Sequence, residues 1–121
     1  MAKVKKSLED ITKEFLLDMD VPAHLKGYQY LTEAISTAAK ARNILKVKIP
    51  ELYCHVSEIY GSDISFVESA IRQAIDATFD LDTTGTLAMY FGYGKDTTSR
   101  PSNEAFIIFV ADKVQMLKKC Q

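Results

Sequence analysis

The stretch Pro50 to Phe79, PELYCHVSEIYGSDISFVESAIRQAIDATF, reads as two helices joined by a tight Gly-Ser-Asp turn. Three residues carry that reading. Ser57 is small, where the first helix would cross closely over the second. Gly61 follows four residues later, where a left-handed backbone must close the helix and glycine alone adopts it without steric cost. Val67 is then expected to point inward and seal the corner. A sharp angle between helices needs all three together, so the spacing predicts a helix-turn-helix of the kind that places its second helix in a DNA groove. The competing reading is an ordinary helical hairpin within a bundle.

Upstream, Ser7 has the character of an N-cap, with Glu9 and Asp10 in the first turn. Leu8, Ile11, Phe15 and Met19 recur at helical spacing, which predicts a helix from Ser7 to Met19. Asp20-Val21-Pro22 ends it, because the residue before a proline is pushed out of the helical region. Gly27 is expected to precede a second helix over Tyr28 to Lys40, with Leu31, Ile35 and Ala38 inward. A third helix begins near Ile44 or at Pro50, with Leu52, Val56, Ile59 and Tyr60 inward. The fourth turns Ile64, Val67, Ala70, Ile71, Ile75 and Phe79 to the core, and Ser65 and Glu68 have capping-box spacing at its start.

Downstream, Asp80 to Gly85 reads as a loop and Leu87 to Phe91 as a short helix ending at Gly92. Lys95 to Arg100 is polar and irregular. Pro101-Ser102-Asn103-Glu104 opens a long last helix whose core residues are Phe106, Phe109, Val110, Val114 and Leu117. No strand-type alternation, internal repeat or low-complexity tract interrupts the pattern. The fold class is all-α, a single domain over residues 1–121.

Composition narrows the function. About half of the 121 residues are apolar and a quarter charged, ordinary for a globular domain. The run Ala105 to Ala111 is far too short to span a bilayer. Lys3, Lys5 and Lys6 lead into a polar helix start rather than a secretory signal, so a cytoplasmic location without membrane attachment is expected. Cys54 and Cys120 form no C-x-x-C pair. His55 beside Cys54 projects in another direction on a helix, a poor chelate, so reduced thiols and no metal are expected. Gly92-Tyr93-Gly94-Lys95 lacks the strand and outer glycine of a phosphate loop. With the two histidines far apart and the carboxylates scattered, no catalytic constellation and no cofactor site emerge.

The net charge of −1 argues mildly against strong non-specific DNA binding, since DNA-binding domains are usually basic. Lysine and arginine nevertheless cluster at Lys40, Arg42, Lys46 and Lys48, and again at Lys113, Lys118 and Lys119. One basic face can coexist with a neutral total.

Several blocks of sequence resemble the DNA-binding effector domain of the sporulation-initiation response regulators, the stage zero sporulation protein A family. They are Val21-Pro22-Ala23-His24-Leu25-Lys26-Gly27-Tyr28 with Tyr30-Leu31 and Glu33-Ala34-Ile35-Ser36, then Val67-Glu68 with Ala70-Ile71-Arg72 and Ala74-Ile75, then Phe91-Gly92-Tyr93, then Val110-Ala111-Asp112-Lys113. Their order and spacing agree from about Ser7 to Cys120. The resemblance implies a bundle of about six helices with a helix-turn-helix over 50–79. It implies binding to a short DNA box, often in tandem, which allows a head-to-tail dimer, and contact with a sigma factor of RNA polymerase. A receiver domain usually precedes this effector, and none is expected within residues 1–121.

Glu68 and Arg72 match the family's recognition helix and, by that match, are expected to reach bases or phosphates. Phe66, Ser69 and Gln73 stand where the family typically has arginine, arginine and histidine. From Ser62 to Asp82, Arg72 is the one basic residue against Asp63, Glu68, Asp76, Asp80 and Asp82. Each missing phosphate contact weakens binding and flattens its salt dependence. The expected DNA-binding set is Ser65, Glu68, Ser69, Arg72 and Gln73 on the second helix of the motif, with Lys119 matching a family lysine near the C-terminus. Arginine can fork across guanine, glutamate can accept from cytosine, and glutamine can address adenine. Phe66 could cover a thymine methyl, fill a gap in the core or meet a protein partner. His24 and the segment Asp80 to Phe91 lie where the family contacts polymerase. The alternative to a DNA reader is a protein-interaction module on the same scaffold, binding sigma factor or a related regulator.

Overall fold

In a computed structural model of the chain, residues 5–92 and 100–121 are described, and they form helices and connecting turns without a strand. Six α-helices follow in order: α1 Leu8–Asp18, α2 Lys26–Ala38, α3 Ile49–Tyr60, α4 Ile64–Asp80, α5 Thr86–Tyr90 and α6 Asn103–Lys119. A single 3₁₀ turn, Ile44–Lys46, precedes α3. Residues 95–99 of the irregular stretch expected before Arg100, and Tyr93-Gly94-Lys95, lie outside the described residues.

Helix starts follow local chemistry. Ser7 Oγ accepts from the Asp10 amide at 3.1 Å, and Ser102 Oγ accepts from the Ala105 amide at 3.0 Å, each satisfying a first-turn donor. Asp20 takes a left-handed φ of 66° where α1 gives way to Val21-Pro22. Pro50 sits in the first turn of α3, where its missing N–H costs nothing. The Asp82 carboxylate accepts from the Leu87 amide at 2.9 Å and the Ala88 amide at 3.4 Å, anchoring α5.

The core is built on α2, which packs on α4, α6, α1 and α3, most extensively on α4. Gly27 explains why α2 and α4 come so close. A Cβ at that position would stand 2.2 Å from the Ala70 carbonyl oxygen and 2.6 Å from the Ala74 Cβ. Gly27 lies in the first turn of α2 rather than preceding the helix. Leu31, Ile35, Val56, Val67, Ile71, Ile75, Phe106, Val110 and Val114 are fully buried around this contact.

Other inward assignments need correction. Ile59, Tyr60 and Ile64 are between 42% and 50% exposed, and Leu117 is 46% exposed, whereas Tyr53, Leu16 and Ile107 are buried. Ile59, Tyr60 and Ile64 flank the sharp turn, where each helix end projects beyond the neighbours that would cover it. Phe109 is half-buried, in ring contact with Tyr90, Phe91 and, across its face, the Lys113 ammonium. The capping box is absent as well. Asp63 is the N-cap of α4, so Ser65 and Glu68 fall two positions too late, and both are exposed helical residues.

Candidate nucleic-acid interface

The turn between α3 and α4 is closed by the three residues that the spacing singles out. Gly61 has φ 65° and ψ 32°, and its amide returns to the Ser57 carbonyl. The Ser62 amide donates to the same carbonyl at 3.2 Å, and Ser57 Oγ donates to the Ser62 carbonyl. Tyr30, almost wholly buried in α2, places its hydroxyl 3.0 Å from Ser62 Oγ. Val67 has no exposed surface and locks the first turns of α4 against the core. The entry to α4 is thus held by backbone bonds and small side chains, leaving little freedom in the angle at which the helix emerges.

With Val67, Ala70, Ile71, Ala74 and Ile75 inward, helical phase turns Ser65, Ser69, Arg72, Gln73 and Asp76 outward, and Glu68 to one flank. Ser65, Glu68, Ser69 and Gln73 are exposed. Phe66, 48% exposed, leaves this row on the other flank. It meets the Tyr30 ring edge-on at 6.2 Å between centroids and has the Lys26 ammonium 6.0 Å from its ring.

Arg72 is the exception. Its side chain is 35% exposed, less open than helical phase alone predicts, and all three guanidinium nitrogens are engaged. Nε and Nη2 donate to Asp76 Oδ1 at 3.2 and 2.9 Å, and Nη1 donates to the Pro101 carbonyl at 2.9 Å. Glu68, one turn earlier, takes no hydrogen bond from it. Asp76, one turn later, captures the arginine, and the chain entering α6 supplies the remaining acceptor.

Arg100 extends the array. Its Nη1 donates to the Asp76 carbonyl at 3.1 Å and lies 3.5 Å from Asp76 Oδ1, while Nη2 donates to Asp80. That hydrogen bond to Asp80 raises the Arg100 pKa still further against the opposing effect of burial, so the cation is permanent. The acidic second half of α4 is in this way largely neutralised by arginines. The i, i+4 spacing of Arg72 and Asp76 is visible in the sequence. Nothing local announces that Arg100 reaches back across 24 positions.

A groove of about 810 Å³ opens beside this face, between the starts of α3 and α6 and the first turns of α4. Ile49, Pro50, Tyr53, Ile64, Glu68, Ser69, Arg72 and Asn103 line it, together with Ser102 and Glu104. Asn103 Nδ2 donates to the Glu68 carbonyl at 3.0 Å, but its buried Oδ1 has no partner among the described residues. An unmet buried acceptor costs about 1–3 kcal/mol. Burial pushes the Tyr53 phenol above its ordinary pKa; a side-chain hydrogen bond with Asn103 and the charge of Arg72 oppose the rise, and the Glu68 and Glu104 carboxylates add to it. Lys48, the exposed N-cap of α3, adjoins one end of the groove, yet Glu68 and Glu104 interrupt any continuous positive surface from there to Arg72.

The remaining candidates are dispersed. Lys119 is exposed in the last turn of α6, and the neighbouring Lys118 ammonium donates to the Lys6 carbonyl at 2.6 Å. His24 is exposed in the α1–α2 loop. His55 lies 2.9 Å from Glu33, linking α3 to α2. Cys54 and Cys120 are exposed free thiols, and the described residues contain no cluster suited to a metal ion.

A tight turn thus joins α3 to α4 on a six-helix scaffold. The family model described as sporulation initiation factor Spo0A C terminal matches residues 11–114. The chain belongs to that family. Spo0A C-terminal domains are DNA-binding regulators of sporulation initiation rather than a known enzyme family. The match covers all of the helix-turn-helix and ends within α6, short of Lys119. No described helix is long and apolar enough to cross a membrane.

Proposed function

We propose that the chain regulates transcription by binding a specific duplex DNA site with α4 in the major groove. Ser65, Glu68, Ser69 and Gln73 face the bases and flanking phosphates, Arg72 joins them on leaving Asp76, and Lys119 contacts the backbone at the edge. The observation that supports this most is the exposed polar row of α4, presented by a turn that fixes the helix's direction. Family membership supplies the class of ligand. A head-to-tail pair of domains on tandem boxes, and contact of Asp80 to Phe91 and His24 with a sigma factor, complete the reading. The site operates in the cytoplasm and requires no cofactor.

Affinity is lower than the basic family pattern would give. Arg72 is the only basic residue of α4 and is already paired, so the helix offers no unpaired cation to phosphate. The test is a mobility-shift titration with a family-type box against scrambled DNA at several salt concentrations. Ser69→Arg is expected to tighten binding about tenfold, within the range of one added bidentate contact. If the new arginine meets phosphate instead, the log–log salt slope steepens by about 0.9. Arg72→Ala weakens binding to the preferred box most. If neither substitution changes affinity for any duplex, the protein-interaction reading replaces this one. The half-exposed Ile64 and Phe66 beside acidic Asp63 and Glu68 are the observation in its favour.

A further inference from the structure

In the arrangement described, Arg72 cannot extend toward DNA without releasing Asp76 and the Pro101 carbonyl, to which its three nitrogens donate. Withdrawing it would strand the Asp76 carboxylate on the face that approaches phosphates. A stranded carboxylate there both loses its hydrogen bonds and repels the ligand. Arg100 is positioned to prevent this. Its Nη1 is 3.5 Å from the very oxygen, Oδ1, that Arg72 holds, and it is kept there by the Asp76 carbonyl at 3.1 Å and by Asp80.

We propose that Arg100 is a positioning residue for DNA recognition: it competes for Asp76 and takes over that carboxylate when Arg72 turns to DNA. The proposal rests on the DNA-binding reading above. A closure of a few tenths of an ångström converts the long Arg100–Asp76 approach into a full hydrogen bond. Meanwhile Nη2 keeps Asp80, so the acidic half of α4 stays neutralised throughout. Arg72 and Arg100 thus share one anion, and the second cation lowers the cost of releasing the first. Arg100 itself need not touch DNA.

Two simpler roles predict different results. If Arg100 merely adds positive charge near the duplex, or merely staples the start of α6 to α4, its removal should weaken binding equally whether or not Asp76 is ionised. The exchange role makes the two positions interdependent, which a double-mutant cycle measures. In duplex titrations of the full chain, Arg100→Ala is expected to weaken binding about fivefold, the scale of one partly exposed ion pair. In an Asp76→Asn background the same substitution should change affinity by less than about twofold. Equal losses in both backgrounds would overturn the proposal.

A second readout needs no DNA. Nitrogen-15 NMR of the free protein follows exchange of the Arg72 Nε–H with water. Arg100→Ala should slow that exchange, because Arg72 then holds Asp76 alone, and Asp76→Asn should accelerate it. An unchanged rate in Arg100→Ala would also overturn the proposal. Arg100→Gln, which retains a donor for the Asp76 carbonyl, repeats both measurements if the alanine variant fails to fold. Absence of duplex binding in every variant, alongside the expected exchange pattern, would overturn the DNA reading while upholding the competition for Asp76.

Discussion

The two ends of α4 are secured by different physics. At its start, Gly61 turns the backbone, Ser57 and Ser62 close the corner with hydrogen bonds, and Val67 is wholly buried. At its end, Asp76 and Asp80 are held by Arg72 and Arg100 through ion pairs whose carboxylates remain 43% and 64% exposed. The first end relies on sterics and dry packing, which salt hardly touches. The second relies on partly solvated charge, which salt screens within a Debye length. The helix is therefore fixed in direction where it enters and adjustable along the face that carries its only cation.

The contrast can be broken at several points. Gly27→Ala should have the largest effect, because the added Cβ collides with the Ala70 carbonyl at 2.2 Å and with the Ala74 Cβ. The intrinsic gain of alanine over glycine in a helix is about 1 kcal/mol, and overpacking at this depth costs about 3 kcal/mol. Denaturant titration should show net destabilisation. A variant as stable as the parent would mean that α2 and α4 separate easily.

Gly61→Ala comes next. No atom lies within 4 Å of a Cβ there, so only the left-handed φ of 65° is penalised, by about 1–2 kcal/mol. Gly61→Asn should lose less than alanine, since asparagine tolerates that region. If a serine at 61 proved neutral, the turn would have to be softer than its hydrogen bonds imply. Arg100→Ala should change stability least, by under about 1 kcal/mol, with the difference vanishing in 1 M salt. The first two losses should survive the same salt. A salt-independent loss at Arg100 would erase the distinction between the two ends.

What could be read from the residues follows the same division. Ser57, Gly61 and Val67 act through stereochemistry within a few positions, so their spacing alone located the turn and the inward face of α4. Ser7 and Ser102 were legible as helix starts for the same reason. Ile59, Tyr60, Ile64 and Leu117 were misplaced because periodicity shows which face is apolar, not how far the neighbouring helices extend to cover it. Gly27 looked like punctuation, since its role depends on a carbonyl more than forty positions away. Arg72 was expected to reach bases or phosphates, whereas its side chain is held by Asp76 and a backbone oxygen of Pro101.

The close approach at Gly27 also sets how this sequence can diverge. Beneath it lies the Ala70 carbonyl oxygen, a group that every amino acid carries. No replacement at position 70 can make room for a side chain at 27, so a change there has no single-residue suppressor at its nearest neighbour. The arginine clasp is different. Arg100 and Asp80 could be lost together and leave the scaffold intact. In a library selected only for folding, position 27 should remain fixed, while positions 80 and 100 wander in concert.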